Sequence, residues 1–350
     1  MKIWNRKRAV LGSDKLSDFC RHVGAMCSAG IPLAKAMEIL QISTEQKKWK
    51  LLYKELQERM EQGYSFSHAM EETGAFPELL LNMFRAAEHA GRLEETAKRM
   101  EQYYRKEHHT KNKIRTATVY PKILGLVSVF VVLMVFLVVM PTVMPLFEGV
   151  KLPLLTRLLM NCSEYLEDNW YLVLFLLWIL FLMARFAMKK KRIQIFLDRM
   201  KVHIPFLGRQ VCIIYTARFA RCESSLYSSG IPMVESLEIA AKTIGNTYIE
   251  AQFQNVIEKV KGGSSFSKAI QDVDGFHPGL APVIFVGEET GTLDTMLTNL
   301  ADGYEHDAEM AMNQMVAMIE PALILGMGLV IGVILLGIMM PMWSMYEYMV

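Results

Sequence analysis

The sequence lacks the short motifs on which most enzymes depend. Its 350 residues contain no GxxxxGK[ST] loop to hold a nucleotide phosphate, no HExxH helix to bind zinc and no GxSxG turn to present a nucleophilic serine. The five cysteines form no CxxC pair and no zinc quartet. We therefore expect a protein that is not an enzyme, with no catalytic residue, no cofactor and no metal site.

Charged residues are missing from long parts of the chain. No Lys or Arg follows Lys268, and no charged residue occurs in 123–147 or in 321–346. Residues 1–121, in contrast, hold 21 Lys and Arg against 15 Asp and Glu, an excess that is ordinary for the cytoplasmic part of a membrane protein. Because aromatic residues do not interleave with these basic residues, we expect no binding to nucleic acid.

Three apolar segments are candidates for transmembrane helices: 121–147, 169–188 and 321–346. A helix of 25 residues is about 37 Å long, enough to span a hydrocarbon core of about 30 Å. Basic residues precede the first segment and follow the second, whereas the connecting loop 148–168 is mainly acidic. We therefore expect this loop and the tail 347–350 to lie outside the cell membrane, and the N-terminus, which lacks a signal peptide, to lie in the cytoplasm.

The two halves of the chain repeat each other at an offset of 200 residues. GYSFSHAM at 63–70 returns as GSSFSKAI at 263–270, and SAGIP at 28–32 returns as SSGIP at 228–232. A register held without gaps over such a length indicates a duplicated unit, namely a helical module followed by one membrane helix. The unrepeated helix 169–188 returns the chain across the membrane, so both modules are expected to face the cytoplasm.

The punctuation within each module is that of short helices. Gly30 and Pro32 are typical of a helix end followed by the first turn of the next helix, and Gly63 with Ser65 is typical of a stop followed by a cap. The repeat Gly263 and Ser265 has the same pattern. We predict an all-α integral membrane protein with two repeated cytoplasmic helical-bundle modules, each of about six helices, and three transmembrane helices.

The expected segments follow the chain from a short basic start to a short tail. They are a basic tail 1–12, the first module 13–120, membrane helix 121–147, an extracytoplasmic loop 148–168, membrane helix 169–188, a basic linker 189–212, the second module 213–320, membrane helix 321–346 and an extracytoplasmic tail 347–350.

An acidic stretch at 272–309 is the main polar feature of the second module. It is interpreted as a solvated helix face, as a docking surface for a basic partner such as the first module of another copy, or as a cation site. At the end of this module, Glu320 adjoins Pro321 at the expected membrane boundary. A carboxylate there is suited to an interhelical contact, and Tyr120 occupies the equivalent place in the first half.

The repeated motifs resemble those of the type II secretion system F family. They are SAGIP and SSGIP, GYSFSHAM and GSSFSKAI, AEHAGRLEE and GEETGTLDT, together with Tyr120-Pro121 and Val139-Met140-Pro141 of the first membrane helix. Proteins of this family are inner-membrane platforms of type II secretion systems, type IV pili and competence pseudopili. The resemblance covers residues 13–348.

The resemblance implies an assembly platform that couples a cytoplasmic hexameric ATPase to the extraction and assembly of pilin or pseudopilin subunits. Further implied partners are other inner-membrane assembly proteins, membrane lipid and additional copies of the chain. The implied partner-binding positions are Glu88, Gly91, Glu288, Glu289, Gly291 and Asp294. The positions implied to govern how the helices enter the membrane are Pro121, Glu320 and Pro321. Two alternatives are a small secondary transporter, because transporters often contain internal repeats, and a membrane signalling scaffold.

Overall fold

A computed structural model of the protein describes residues 11–143, 145, 153–188, 190–205 and 207–349. All regular structure in these ranges is helical, so the all-α prediction is confirmed. Some predicted segments fall partly outside the described residues: residues 1–10 of the basic tail, 148–152 of the loop and 350 of the C-terminal tail.

The first module consists of a bundle of short helices that leads into a longer one. Its helices are α1 (Ser13–Ser28), α2 (Leu33–Ser43), α3 (Lys47–Glu61), α4 (Phe66–Thr73), α5 (Glu78–Ala90) and α6 (Leu93–Ala117).

The membrane segments and the second module follow. Their helices are α7 (Val119–Met134), a wide π-helical turn (Val135–Val139), α8 (Met140–Val143), α9 (Leu154–Ala187), α10 (Lys191–His203), α11 (Leu207–Ser228), α12 (Met233–Thr243), α13 (Thr247–Lys261), α14 (Phe266–Gln271), α15 (Leu280–Thr290) and α16 (Leu293–Met349).

The same aromatic arrangement forms the centre of each module's core. Phe19 is 0% exposed, and its ring lies 6.2 Å from that of Phe66 and 4.9 Å from that of Phe76. In the second module, Phe219 packs against the phenylalanines that lie 200 positions after these two, with ring centroids 6.4 and 5.1 Å away. The phenylalanine of the repeated GxSFS motif is therefore a core residue in both modules, where its burial stabilises the fold.

Both modules belong to one compact unit, made of the described residues up to Lys113 together with Ile195–Ala311. Helix α5 of the first module packs against α12 of the second. Lys242 Nζ lies 2.7 Å from Glu78 Oε1, and Lys106 Nζ lies 2.9 Å from Glu305 Oε2. These ion pairs join the two modules directly.

The expected basic linker 189–212 is largely helical, which corrects that prediction. Helix α10 buries Val202 in the core that includes the second module. Asp198 of the same helix accepts hydrogen bonds from Thr247 N at 2.9 Å and from Thr247 Oγ1 at 2.8 Å, at the start of α13. A carboxylate satisfies free amide groups at a helix start. Helix α10 is thus an additional helix packed on the second module.

Ile114–Gln194 and Met312–Val350 form a second unit, which contains the apolar segments. Among the described residues, the continuous helical runs Leu93–Val143 and Leu293–Met340 are long and apolar enough to cross a membrane. These runs include the first and third predicted crossings. The second predicted crossing, 169–188, lies in α9 and stays a prediction; α9 bends at Asn169, where φ is −125° and ψ is 28°.

The expected loop 148–168 is helical from Leu154 onward, and this helix contacts the neighbouring apolar helices. Pro141 has no N–H, and in π-helical spacing the residue that would donate to Phe136 O is residue 141. Ser163 Oγ of α9 donates to Phe136 O instead, at 2.6 Å. Thr156 Oγ1 likewise donates to Gly337 O at 2.7 Å, the carbonyl four residues before the proline at position 341. Side-chain donors of this kind make prolines tolerable in apolar helices.

Candidate partner-binding and membrane-boundary residues

The repeated GxSFS motif forms the turn between α3 and α4. Gly63 has φ of 93°, a conformation that favours glycine, and ends the preceding helix. Ser65 caps the next helix, because its Oγ accepts a hydrogen bond from His68 N at 3.3 Å. Phe66 points into the core at 2% exposure. The predicted stop, cap and buried aromatic are all present.

Glu88 completes this turn from a distant part of the sequence. Its carboxylate, carried by α5, accepts hydrogen bonds from Phe66 N at 2.5 Å and from Ser67 N at 3.0 Å, and the Ser67 hydroxyl also donates to it. Free amide groups at a helix N-terminus favour negative charge, and hydrogen bonds to a charged acceptor are strong. Glu88 therefore fixes the start of α4 against α5.

Glu288 makes the same contact in the second module. It accepts hydrogen bonds from Phe266 N at 2.6 Å and from Ser267 N at 2.9 Å. The repeated motif and the repeated glutamate thus form one structural device, present twice. Both carboxylates are half-buried and engaged within their own modules. Their predicted role in partner binding stays a prediction.

Gly91 and Gly291 end α5 and α15 in equivalent turns. Each has φ of 67°. Arg92 N donates to Ala87 O at 2.9 Å, and Thr292 N donates to Gly287 O at 3.0 Å, as in a Schellman cap. Both glycines are exposed. They place a sharp turn at the surface of each module, and their predicted contact with a partner stays a prediction.

Glu289 and Asp294 flank the Gly291 turn, and both are exposed. Glu289 lies in the last turn of α15, and Asp294 lies in the first turn of α16. Asp294 is well placed electrostatically, since a helix start favours an acidic residue. Of the predicted partner-binding carboxylates, these two are the ones that face solvent.

The rest of the acidic stretch is largely paired within the chain. Arg221 bonds to Glu305 at 2.5 Å and also to Asp302, and Arg221 holds the pKa of Asp302 below its usual value. Lys113 pairs with Glu309 and lowers the pKa of that carboxyl. Pairing with the first module of another copy, predicted for the stretch, is therefore wrong for these three carboxylates. Glu289 and Asp294 lie outside this internal network.

The described residues contain no group of three or more His, Cys, Asp or Glu side chains arranged to hold a metal ion. The interpretation of the acidic stretch as a cation site thus has no ligand set among the described side chains, several of which are engaged with Arg221, Lys106 and Lys113.

The residues at the expected membrane boundary lie where α7 starts and along α16. Pro121 occupies the first turn of α7, where its missing N–H is tolerated. Pro321 lies within the unbroken helix α16. The Tyr120 hydroxyl donates to Glu320 Oε1 at 3.4 Å, so the equivalent residues of the two halves meet each other. The predicted interhelical contact of Glu320 is present, whereas control of membrane insertion by the prolines stays a prediction.

The sequence did not predict Arg221 and Lys106 as the internal partners of the acidic stretch. The available signal was the opposite charge of the two halves, which was interpreted as a contact between copies. Because ion pairs between distant segments depend on how the modules pack, the charge gradient alone does not tell an internal pair from an external one.

Two equivalent helical modules, followed by apolar helices, define a duplicated membrane-anchored protein. A sequence model of "Type II secretion system (T2SS), protein F" matches residues 19–141 and again 219–341, the same offset of 200 that the motifs show. The chain belongs to this family, as the motifs predicted. The assignment replaces the alternatives of a secondary transporter and a signalling scaffold.

The chain is similar to relatives of two kinds over nearly its whole length. It is 32% identical over 336 residues to the type IV pilus assembly protein PilC of Thermus thermophilus, covering 95% of this chain and 83% of the relative. It is 29% identical over 340 residues to the type II secretion system protein F of Aeromonas hydrophila, covering 95% and 87%. It is 25% identical over 355 residues to PilC of Pseudomonas aeruginosa, covering 99% and 95%.

Proposed function

We propose that the chain is an inner-membrane assembly platform that couples a cytoplasmic hexameric ATPase to the extraction and assembly of pilin or pseudopilin subunits. Its family consists of structural platform proteins for secretion and pilus assembly. In this role the ATPase performs the chemistry, and the chain transmits the resulting movement. No catalytic residue, cofactor or metal is part of the proposal.

The observation that carries the proposal is the pair of ion contacts between the modules. Glu78 with Lys242 and Lys106 with Glu305 join residues of the first module to residues of the second. Such contacts require both modules to lie on the same side of the membrane, since a hydrocarbon core of about 30 Å would separate them otherwise. They support the topology in which both modules face the cytoplasm and the C-terminus lies outside.

The proposed path of movement runs along α6 and α16. Each helix begins directly after a glycine turn and continues toward an apolar segment. Lys113 of α6 pairs with Glu309 of α16, and Lys106 pairs with Glu305 one turn earlier. The two helices are therefore linked side by side by charge, so a displacement applied at one module is shared by both. Pilin subunits and other assembly proteins would meet the apolar helices that follow.

The proposed ATPase contact includes the exposed surface beside Gly291. Glu88 and Glu288 contribute to it indirectly, by fixing the helices that carry the glycine turns. Glu289 and Asp294 contribute directly, because their carboxylates face solvent.

Copurification tests this function. The full-length chain in detergent or in vesicles is expected to retain the assembly ATPase encoded with its own machine. The double variant Glu289→Lys with Asp294→Lys should retain about tenfold less, because reversed charges at a docking surface repel a complementary partner. The matched control is Glu250→Lys with Glu258→Lys, which changes two exposed glutamates of α13 in the same module. Failure of the unmodified chain to retain the ATPase would contradict the proposal.

A further inference from the structure

The contact between the two modules is head-to-tail. Helix α5 of the first module packs against α12 of the second, and Glu78 pairs with Lys242 across this contact at 2.7 Å. By the 200-residue offset, α12 is the equivalent of α2, and α15 is the equivalent of α5. One module thus uses its fifth helix and the other its second helix, so the equivalent surfaces on α2 and α15 are not part of this contact.

The surface of α2 is apolar and exposed. Ile39 is 37% exposed and Ile42 is 74% exposed. In the second module the equivalent of Ile39 is Ile239, on the helix that α5 covers, and it is only 4% exposed. The difference between Ile39 and Ile239 shows what a covering helix does at this position. Helix α2 carries the same kind of surface without the cover.

The surface of α15 is apolar as well. Phe285 is 49% exposed and Val286 is 46% exposed. The equivalent positions of α5 are Arg85 and Ala86, which are less exposed. Large apolar side chains that share one exposed helix face are typical of a contact surface. The fifth helix has therefore gained apolar surface in the module where that surface is uncovered.

The two uncovered surfaces also match each other in charge. The internal contact joins Glu78 to Lys242. The equivalents of these two residues are Pro278 and Ile42, so both charges are replaced by apolar residues together. A contact between α15 and α2 of the same geometry would leave no charge unpaired, whereas an apolar surface opposite a remaining charge would be costly.

We propose that α15 of one copy docks on α2 of a second copy and so repeats between chains the contact that α5 and α12 make within one chain. The occupant of each surface is another copy of this protein. A head-to-tail contact repeated between identical chains extends as a row or closes as a ring. The proposal rests on the topology given above, in which both modules of every copy lie on one side of the membrane.

Photocrosslinking of the full-length chain in vesicles, without any ATPase, tests this contact. Phe285→p-benzoylphenylalanine should yield a product of two chains, and mass spectrometry should place the attachment on α2. The positive control is Glu78→p-benzoylphenylalanine, which should attach to α12 of the same chain. Ile42→Lys, which introduces the residue found at the equivalent position 242, should lower the two-chain product about tenfold, because it buries an unpaired charge. Leu51→Lys on α3, at a position that is 61% exposed, should leave the product unchanged.

Two results would overturn the proposal: absence of the two-chain product while the Glu78 control reacts, or attachment of position 285 only to lipid or to a different protein. Neither result bears on the copurification of the ATPase, which is measured separately. Retention of the ATPase by the Ile42→Lys variant, together with loss of the two-chain product, would separate self-docking from ATPase binding and support the inference.

Discussion

Glu223 shows how a single residue distinguishes the two modules. It is 0% exposed on α11, and Ser236 Oγ donates to its Oε1 at 2.5 Å. Among the described residues no donor reaches its Oε2. Burial raises the pKa of this carboxyl to about 8. The equivalent residues of the first module are Val23 and Ala36, both buried. The second module therefore carries a destabilising polar pair where the first has an apolar one.

Glu223 should make the stability of the chain depend on pH. An unfolded glutamate has a pKa of about 4.3. Between about 4.3 and about 8 the unfolded chain releases this proton while the folded chain holds it, so stability is greatest at low pH and falls as the pH rises through this window. Thermal unfolding of the full chain at several pH values should show a smaller decline for Glu223→Gln. Glu223→Val, the residue of the first module, should stabilise the chain by about 1–3 kcal/mol near neutral pH.

Glu258→Gln on α13 is the matched control for Glu223, because Glu258 is exposed in the same module. It should leave the pH dependence unchanged. An identical decline in the Glu223→Gln variant and in the unmodified chain would contradict the role given to Glu223.

Glu88→Gln should destabilise the first module. A glutamine offers one acceptor oxygen where the carboxylate offers two, so Phe66 N or Ser67 N loses its partner. We expect a loss of about 1–3 kcal/mol, measured by thermal unfolding. His89→Gln, at the exposed neighbouring position, is the control. If Glu88→Gln left stability unchanged and reduced only ATPase retention, a direct contact with the partner would replace the structural role.

The residue scale also shows where sequence reasoning succeeds. The Gly63 stop, the Ser65 cap and the buried Phe66 follow from local chemistry, so they were predicted correctly. The role of Glu88 depends on how α5 packs against α4, and it lies 21 residues beyond Ser67. Local patterns do not contain that information. The joint repetition of the serine and the glutamate at the same offset was the signal that linked them.

At the scale of elements, the first part of α9 connects the two repeated apolar helices. Ser163 satisfies Phe136 O beside Pro141, and Thr156 satisfies Gly337 O. A Cβ added to Gly337 would also collide with Leu159 of α9. The sequence predicted a loop here because the segment contains polar residues and is short on hydropathy alone. Its helix is stabilised instead by contacts with helices that are distant in sequence.

Ser163→Ala should destabilise this arrangement by about 0.6–1.7 kcal/mol, the range measured for side-chain hydrogen bonds between membrane helices. The decisive measurement is a double-mutant cycle with Pro141→Ala, followed by thermal unfolding in detergent. An alanine at 141 returns a backbone N–H that is able to donate to the freed carbonyl. Ser163→Ala should therefore cost less in the Pro141→Ala background. Equal costs in both backgrounds would disprove the link, and Thr142→Val, which removes a bond within a single helix, serves as the control.

At the scale of the whole molecule, the sequence predicted the duplication and the family but not how the modules meet. The contact uses Glu78 and Lys242, whose equivalents Pro278 and Ile42 are uncharged. The residues that join the modules are therefore residues that the repeat does not share. A comparison of the two halves emphasises shared positions, so it identifies the module and overlooks its contacts with its twin.

Cysteine labelling tests the arrangement of the whole chain in the membrane. Glu61, Asn161 and Lys261 are exposed positions in the first module, in α9 and in the second module. Each is changed singly to cysteine in a background without the native cysteines, and a charged thiol reagent that does not cross membranes is applied to spheroplasts. We expect labelling at position 161 in intact spheroplasts, and at positions 61 and 261 only after permeabilisation, because the inter-module ion pairs hold both modules on one side. Different accessibility of 61 and 261 in intact spheroplasts would show that the modules are separated by the bilayer, and the pairs of Glu78 with Lys242 and of Lys106 with Glu305 would then be impossible.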